Sequence, residues 1–495
     1  MNARVPASTL NAAEALTQVS RQWDDVLLPE LKEYIAIPAK SPSFDADWAA
    51  HGHIDTVMRN AAAWVESQKV EGLKLEVIRL GGRTPVLFFE VPASNGKSGQ
   101  APSSQTVLMY GHLDKQPEFY GWRNDLGPWT PKYEDGKLYG RGGADDGYAV
   151  YASIAAIQAL KSQGVAHPRI VGLVETCEES GSGDLLPYVN ALRAPGNNRL
   201  GDVALVICLD SGAGKYDQLW LTSSLRGMAS GVLKVEILTE GVHSGYASGL
   251  VPSSFRIMRQ VLDRLEDSAS GRLLPASFHC EVPPDRLAQA KATAAILGDE
   301  VYKRFPWAHY DCAGSTTFAL PTTTDPVQAL LNRTWTPTLS VTGAEGFPEL
   351  QNAGNVLRPY TAFKLSLRLP PLVDAGAAVQ ELKALLEDNA PYQARVTFQS
   401  GGGATGWNAP STAPWFEQAL NQASQAQFGA GCGYIGQGGT IPLMSMLSKG
   451  FPNAQMMVCG VLGPRSNAHG PNEFLHVPYA KKLTAAVAQV MASLP

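Results

Sequence analysis

Gly140-Arg141-Gly142-Gly143-Ala144-Asp145-Asp146-Gly147 sets two adjacent carboxylates in a glycine-framed turn, directly ahead of a helical run from Tyr148 to Leu160. Alone, acids at a helix entrance are turn and cap residues, accepting backbone N–H bonds that the first turn leaves unpartnered. Their surroundings say more. Gly111-His112-Leu113-Asp114 lies upstream, and Glu178-Glu179, Asp210 and His469 lie downstream. Imidazole and carboxylate donors gathered from several loops are the raw material of a metal site.

The stretches leading into those residues share one pattern. Residues 107–110 form a short apolar strand that runs into His112; 169–176 run into Cys177-Glu178-Glu179; and 203–209 run into Asp210. In α/β sheets, sites assemble just beyond the carboxyl ends of the strands, so three successive strands each delivering an acid or a histidine predict one functional edge. His112-x-Asp114 fits that edge, because a carboxylate accepting the second imidazole N–H fixes the tautomer and raises the basicity of a ligand histidine.

Outward from this centre, helical spacing covers 12–35, interrupted by Pro29, and 55–68, while 73–80 and 84–91 read as a hairpin turned at Gly81-Gly82. The Ser/Gly/Gln-rich stretch 94–105 reads as an exposed, dispensable loop. From 224 the character changes. Alternating strands at 231–239, 338–341, 361–369 and 394–399, helices at 253–265 and 375–386, and a helical, aromatic-rich stretch at 287–326 predict an antiparallel layer with helices on one face. Gly401-Gly402-Gly403 reads as the linker back to a helix at 414–428, a Gly-rich loop from Gln437, a strand at 455–461 and a last helix at 479–494. The expected organisation is a catalytic domain from 1–223 and 404–495 with residues 224–403 inserted.

Composition agrees. A chain of 495 residues exceeds one ordinary core, and 44% apolar with 17% charged residues fits a well-buried globular enzyme. The net charge of -5 and scattered Lys and Arg offer no field for nucleic acid or anionic membrane. Six dispersed cysteines without a CxxC pair, and no export or membrane-spanning signal, read as reduced thiols in a cytoplasmic protein.

His112, Asp145, Glu179, Asp210 and His469 suit two Zn2+ ions sharing one carboxylate, with Mn2+ or Co2+ as possible substitutes. Such a pair lets a bridging water lose its proton near neutral pH and attack a polarised carbonyl. Glu178, beside a ligand but free, is placed to act as general base.

Taken together, the motifs resemble the M20 family of co-catalytic zinc metallopeptidases, above all its dipeptidase branch of carnosinase-like cytosolic nonspecific dipeptidases, over nearly the whole chain. The resemblance implies an α/β, mixed-sheet catalytic domain with an inserted α+β, ferredoxin-like lid that dimerises. It also implies one zinc on His112, Asp145 and Asp210, a second on Asp145, Glu179 and His469, and Glu178 as base. Asp114 would orient His112, and a cis peptide would join Asp145 to Asp146. Beyond the first domain it implies that His243, in Gly241-Val242-His243-Ser244-Gly245, reaches the partner subunit's site, and that Arg358 binds the substrate carboxylate. The loop with Gln437, Gly438 and Thr440 would hold the peptide backbone. Three positions depart from the family pattern: Gly147 replaces a lysine, Gln437 a glutamate, and Gly470 a serine. The function implied is metal-dependent hydrolysis of dipeptides or short peptides. The alternatives are an N-acyl-amino-acid amidohydrolase on the same fold and, more distantly, a non-catalytic dimeric binding module.

Overall fold

The computed structural model describes residues 10–97, 101–312, 315–439 and 441–495. Thr440 lies outside the described residues. The central sheet has six strands in the order Lys74–Ile78, Val86–Val91, Arg169–Glu175, Thr106–His112, Val203–Cys208, Gln455–Val458. The first two strands form the expected antiparallel hairpin, and the last four run parallel. Successive side chains point to opposite faces, and both faces are buried. Val107, Met109, Leu205 and Ile207 enter one core, while Leu108, Tyr110, Val206 and Cys208 enter the other.

The larger core is closed by the helices Ala12–Gln22, Tyr148–Gln163, Pro414–Phe428 and Val477–Met491, which pack on one another. The stretch 12–35 is one helical run. It passes through a π turn at Trp23–Leu27 into Leu28–Ala36, and Pro29 stands in the first turn of that last segment, where its missing N–H is least needed.

A second sheet, ordered Thr338–Glu345, Tyr360–Leu369, Gly227–Glu236, Arg395–Ala404, is antiparallel throughout. The helices Ser254–Leu262 and Ala375–Glu387 bury Ile257, Met258, Leu382 and Leu386 in its separate core.

Several details differ from the sequence reading. Gly401-Gly402-Gly403 is not a linker but the bulged end of the last strand, with Gly402 at φ +93°. Trp220–Leu225 is an unanticipated strand, pairing parallel to Gly433–Gln437. His309–Cys312 and Ser315–Phe318 form a hairpin within the stretch expected to be helical. The helices Pro284–Leu297 and Pro326–Thr334 send Ala294, Leu297 and Leu330 to the larger core, although the second sheet surrounds them in sequence. The start of the 94–105 loop is anchored: Ser94 exchanges backbone bonds with His167, and the Lys97 amide donates to Gly164. Cys177, Cys208 and Cys459 are free and buried. Among the described residues no helix is long and apolar enough to cross a membrane.

Candidate metal centre

Parallel register decides where the site forms. Thr106–His112 lies between Arg169–Glu175 and Val203–Cys208, with His112 opposite Glu175 and Tyr110 opposite Cys208, so all three strands end at one edge. The chain then supplies His112, Glu178-Glu179 and Asp210 there. Gln455–Val458 extends the same edge and leads to the His469 loop. Asp145 arrives on a distorted turn, Gly143–Gly147, joined to Asp146 by a cis peptide bond. Gly111 permits this approach, since a Cβ there would lie 2.8 Å from that of Ala149 and 3.1 Å from an Asp146 oxygen.

Two donor groups result: His112, Asp145 and Asp210 in one, and Asp145, Glu179 and His469 in the other. In the first, His112 Nε2 stands 3.4 Å from Asp145 Oδ1 and 3.7 Å from Asp210 Oδ2. In the second, His469 Nε2 is 2.9 Å from Asp145 Oδ2 and 3.4 Å from Glu179 Oε2. Asp145 thus faces both histidines, one with each oxygen. Among the described residues, His112 Nε2 is buried without a hydrogen-bond partner, although it faces carboxylates. A buried imidazole nitrogen left open among acids, beside a mixed nitrogen and oxygen donor set, fits Zn2+ or a similar divalent ion.

Neighbouring bonds fix the donors. His112 Nδ1 lies 3.1 Å from the backbone oxygen of Asp114 and 3.6 Å from its carboxylate. That carboxylate instead receives the amides of Glu178 and Glu179, at 3.1 and 3.0 Å, and so shapes the turn carrying both glutamates. Gln116 Nε2 donates to Glu179 Oε2 at 2.6 Å. Arg141 and Glu473 form a buried ion pair; Glu473 also accepts the Gly142 amide, while Arg141 donates to the Gly470 carbonyl. The Asp145 and His469 loops are thereby tied together. His469 itself adopts φ +65°, an uncommon backbone for histidine, which this bracing sustains.

Crowding shifts the acids. Burial, then the Asp145 charge, pushes both Asp210, to about 7, and Glu179, to about 8. Burial and Asp210 raise Glu178 strongly. Asp145 shows the reverse: burial opposes ionisation, but His112 and His469 hold its carboxyl far below the usual range. Burial likewise opposes protonation of His469, yet Asp145 and Glu179 raise it to about 9. With Glu178, Glu179 and Asp210 pushed toward the neutral form and His469 toward the charged one, the site is short of positive charge.

The donors open on a cleft of about 560 Å³, also lined by Glu178, Gln437, Gly439 and Arg368. Glu178 Oε2 is 3.9 Å from His112 Nε2, and Glu178 is in neither donor group. Gly438 lies against Arg226, whose Nε donates to its carbonyl at 3.3 Å. His243 and Arg358 do not line this cleft. They are near each other, since Val242 pairs with Leu357 and His243 with Val356; His243 is exposed, and Arg358 Nε donates to Gly346. Sequence reasoning missed Gln116, which follows the His-x-Asp motif by two residues, and Met228 and Arg368, which face the cleft from the second sheet. Arg368 was hidden as an ordinary polar position in an alternating strand.

The profile described as peptidase family M20/M25/M40 matches residues 108–493, and the chain belongs to that family. The chain is 28% identical over 448 residues to a cysteinylglycine-S-conjugate dipeptidase of Corynebacterium striatum, covering 87% of this chain and 90% of the relative. It is 25% identical over 459 residues to the Beta-Ala-His dipeptidase of Rattus norvegicus, covering 90% and 88%. In fold it resembles human carnosine dipeptidase 1, with a TM-score of 0.74 at 22% identity over 98% of this chain and 99% of that one. The dipeptidase branch expected from the motifs is the one these relatives represent.

Proposed function

We propose that the protein hydrolyses dipeptides or other short peptides, with two Zn2+ ions held by His112, Asp145 and Asp210 and by Asp145, Glu179 and His469. The observation that carries this reading is the pair of donor groups sharing Asp145 at the floor of an open cleft. When bound, the metals supply Lewis acidity toward the carbonyl and toward water. The chain's own groups do the rest. Asp114 holds the Glu178-Glu179 turn through both amides, leaving Glu178 free to take a proton from water and return it to the departing amine. A carboxyl of raised basicity suits that exchange. Gln437 and Gly439 line the cleft, and the resemblance assigns their loop, with Gly438 and Thr440, to the substrate backbone. The second sheet acts as a lid and dimer contact. His243 and Arg358 serve the partner's site, a role supported by their mutual proximity and their distance from their own cleft's lining.

A dipeptide panel set against N-acetyl and N-succinyl amino acids tests the substrate class; turnover of the acylated compounds alone would replace dipeptidase with amidohydrolase. Metal analysis is expected to give about two divalent ions per chain. Glu178→Gln is expected to retain them while losing about 10²–10⁴-fold in kcat. Mixing His243→Ala and Glu178→Gln subunits should restore activity in verified heterodimers, and absence of restoration would remove the shared-site assignment.

A further inference from the structure

A second cavity, of about 660 Å³, joins the catalytic cleft at Gln437 and Leu462, which line both. It wraps the His469 loop: Asn467, Pro471 and Asn472 face it, whereas Ala468 and His469 face the cleft. The shared lining of Gln437 and Leu462 and the alternation of faces along one loop make the two spaces adjacent, so this cavity is the space next to a substrate held at the donors.

Among the described residues its lining carries Lys303, Arg304, Arg333 and Arg465 and no carboxylate. Lys303 is committed to Asp299 at 2.5 Å. Arg333 differs: its Nε and Nη2 are buried and, among the described residues, have no hydrogen-bond partner. It stands at the end of the helix Pro326–Thr334, where Gly438 packs against its backbone and side-chain stem. Burial, and the charges of Arg304 and Arg226, pull its pKa down to about 9, which still leaves a cation at neutral pH. Buried N–H donors without acceptors lose their water without replacing it, and such a group calls for a partner that completes it. The complement of a guanidinium fork is a carboxylate or similar oxyanion, which it binds through two parallel bonds. At the junction with the cleft stands an amide, Gln437, which presents no negative charge to an entering anion.

We propose that this cavity is a specificity pocket for the side-chain carboxylate of the substrate, so that the protein prefers dipeptides containing Asp or Glu. The proposal rests on the peptidase reading of the adjoining cleft.

The test compares peptides that differ only by acid and amide, Ala-Glu with Ala-Gln and Glu-Ala with Gln-Ala, on the metal-loaded full chain. At least one acidic member is expected to exceed its amide partner about tenfold or more in kcat/KM, chiefly through KM. Arg333→Gln is expected to bring that ratio close to one, and Arg304→Gln to lower it, which keeps the proposal testable should the first variant fold poorly. Equal rates for acid and amide in the unaltered protein, or a preference surviving both substitutions, would overturn it. Thermal shift with succinate reads the pocket without turnover. If no peptide is hydrolysed, the cleft reading fails, but a succinate-induced rise in Tm that is lost in Arg333→Gln upholds a carboxylate pocket, and no rise overturns it. Stabilisation by inorganic phosphate through Arg333, together with equal acid and amide rates, would make the cavity a free-anion site and overturn the substrate assignment.

Discussion

Gly147→Ala turns one departure from the family pattern into a measurement. The backbone there has φ -53° and ψ -26°, which any residue adopts, so alanine by itself would stabilise by about 0.4–1 kcal/mol through the unfolded chain. Packing opposes this. A Cβ at Gly147 would lie 2.0 Å from Cε1 and 2.5 Å from Cζ of Tyr34. That ring is not free to yield. Its hydroxyl donates to the Leu113 carbonyl at 3.1 Å, and Lys115 Nζ sits 3.9 Å from its centroid while bonding the backbone oxygens of Tyr34 and Ile37. Overpacking costs about 1–3 kcal/mol, a lost hydrogen bond about 1, and a weakened buried cation–π contact up to about 2. Net destabilisation of about 2–5 kcal/mol is therefore expected, with weaker divalent-metal uptake if the proposed donor Asp145, two residues away, is displaced. Urea unfolding of Gly147→Ala, Tyr34→Ala and the double variant reads the coupling. Tyr34→Ala alone should cost about 3–5 kcal/mol, and the double variant at least about 1 kcal/mol less than the sum, since the methyl enters the vacated space. A Gly147→Ala protein as stable as its parent, with no coupling to Tyr34, would refute the argument. A lysine at this position would meet the same ring.

Three other outcomes follow from the geometry. Burial, then the Asp114 charge, raises the Glu175 carboxyl from 4.5 to about 7, so between those values the unfolded chain ionises first and stability falls as pH rises, by about 3 kcal/mol in all. Glu175→Gln should flatten that slope in urea unfolding of chelator-treated protein from pH 4 to 8, and an unchanged slope would clear Glu175 of the effect. Arg141→Met leaves Glu473 buried and unpaired, at a cost of about 3–5 kcal/mol; adding Glu473→Leu should recover part of it in the same assay. Gln116→Leu removes the donor to Glu179 and, on the proposed two-metal reading, should weaken one step of a divalent-metal titration about 10–100-fold while sparing the other.

What the sequence disclosed was whatever has a period or a fixed offset. Three of the four parallel strands were legible because each apolar run leads into a donor residue, and Pro414–Phe428 because helical spacing is bounded by a proline and a glycine. Long-range matters were less accessible. Trp220–Leu225 escaped notice since its burial comes from Gly433–Gln437, far along the chain. The glycines at 401–403 looked like a linker because nothing local reveals that a ladder with Gly227–Glu236 holds them extended. At the site, the motifs brought forward the donors, whereas Gln116, Arg333 and Arg368 depend on which helices, strands and loops meet in space. The role given to Asp114 was read from spacing, and geometry adds a second one: its carboxylate grips the Glu178-Glu179 turn more closely than it does the His112 ring.

The division of donors along the chain has a consequence for synthesis. His112, Asp145 and Asp210 are all translated before the second sheet begins, while Asp145 and Glu179 must wait for His469, which emerges only after that sheet and the last strand of the first one. At about 5–20 residues per second the interval lasts roughly 10–50 s. A nascent chain therefore presents one complete donor group and one truncated one, and a chain cut short within the C-terminal segment retains the first without the second.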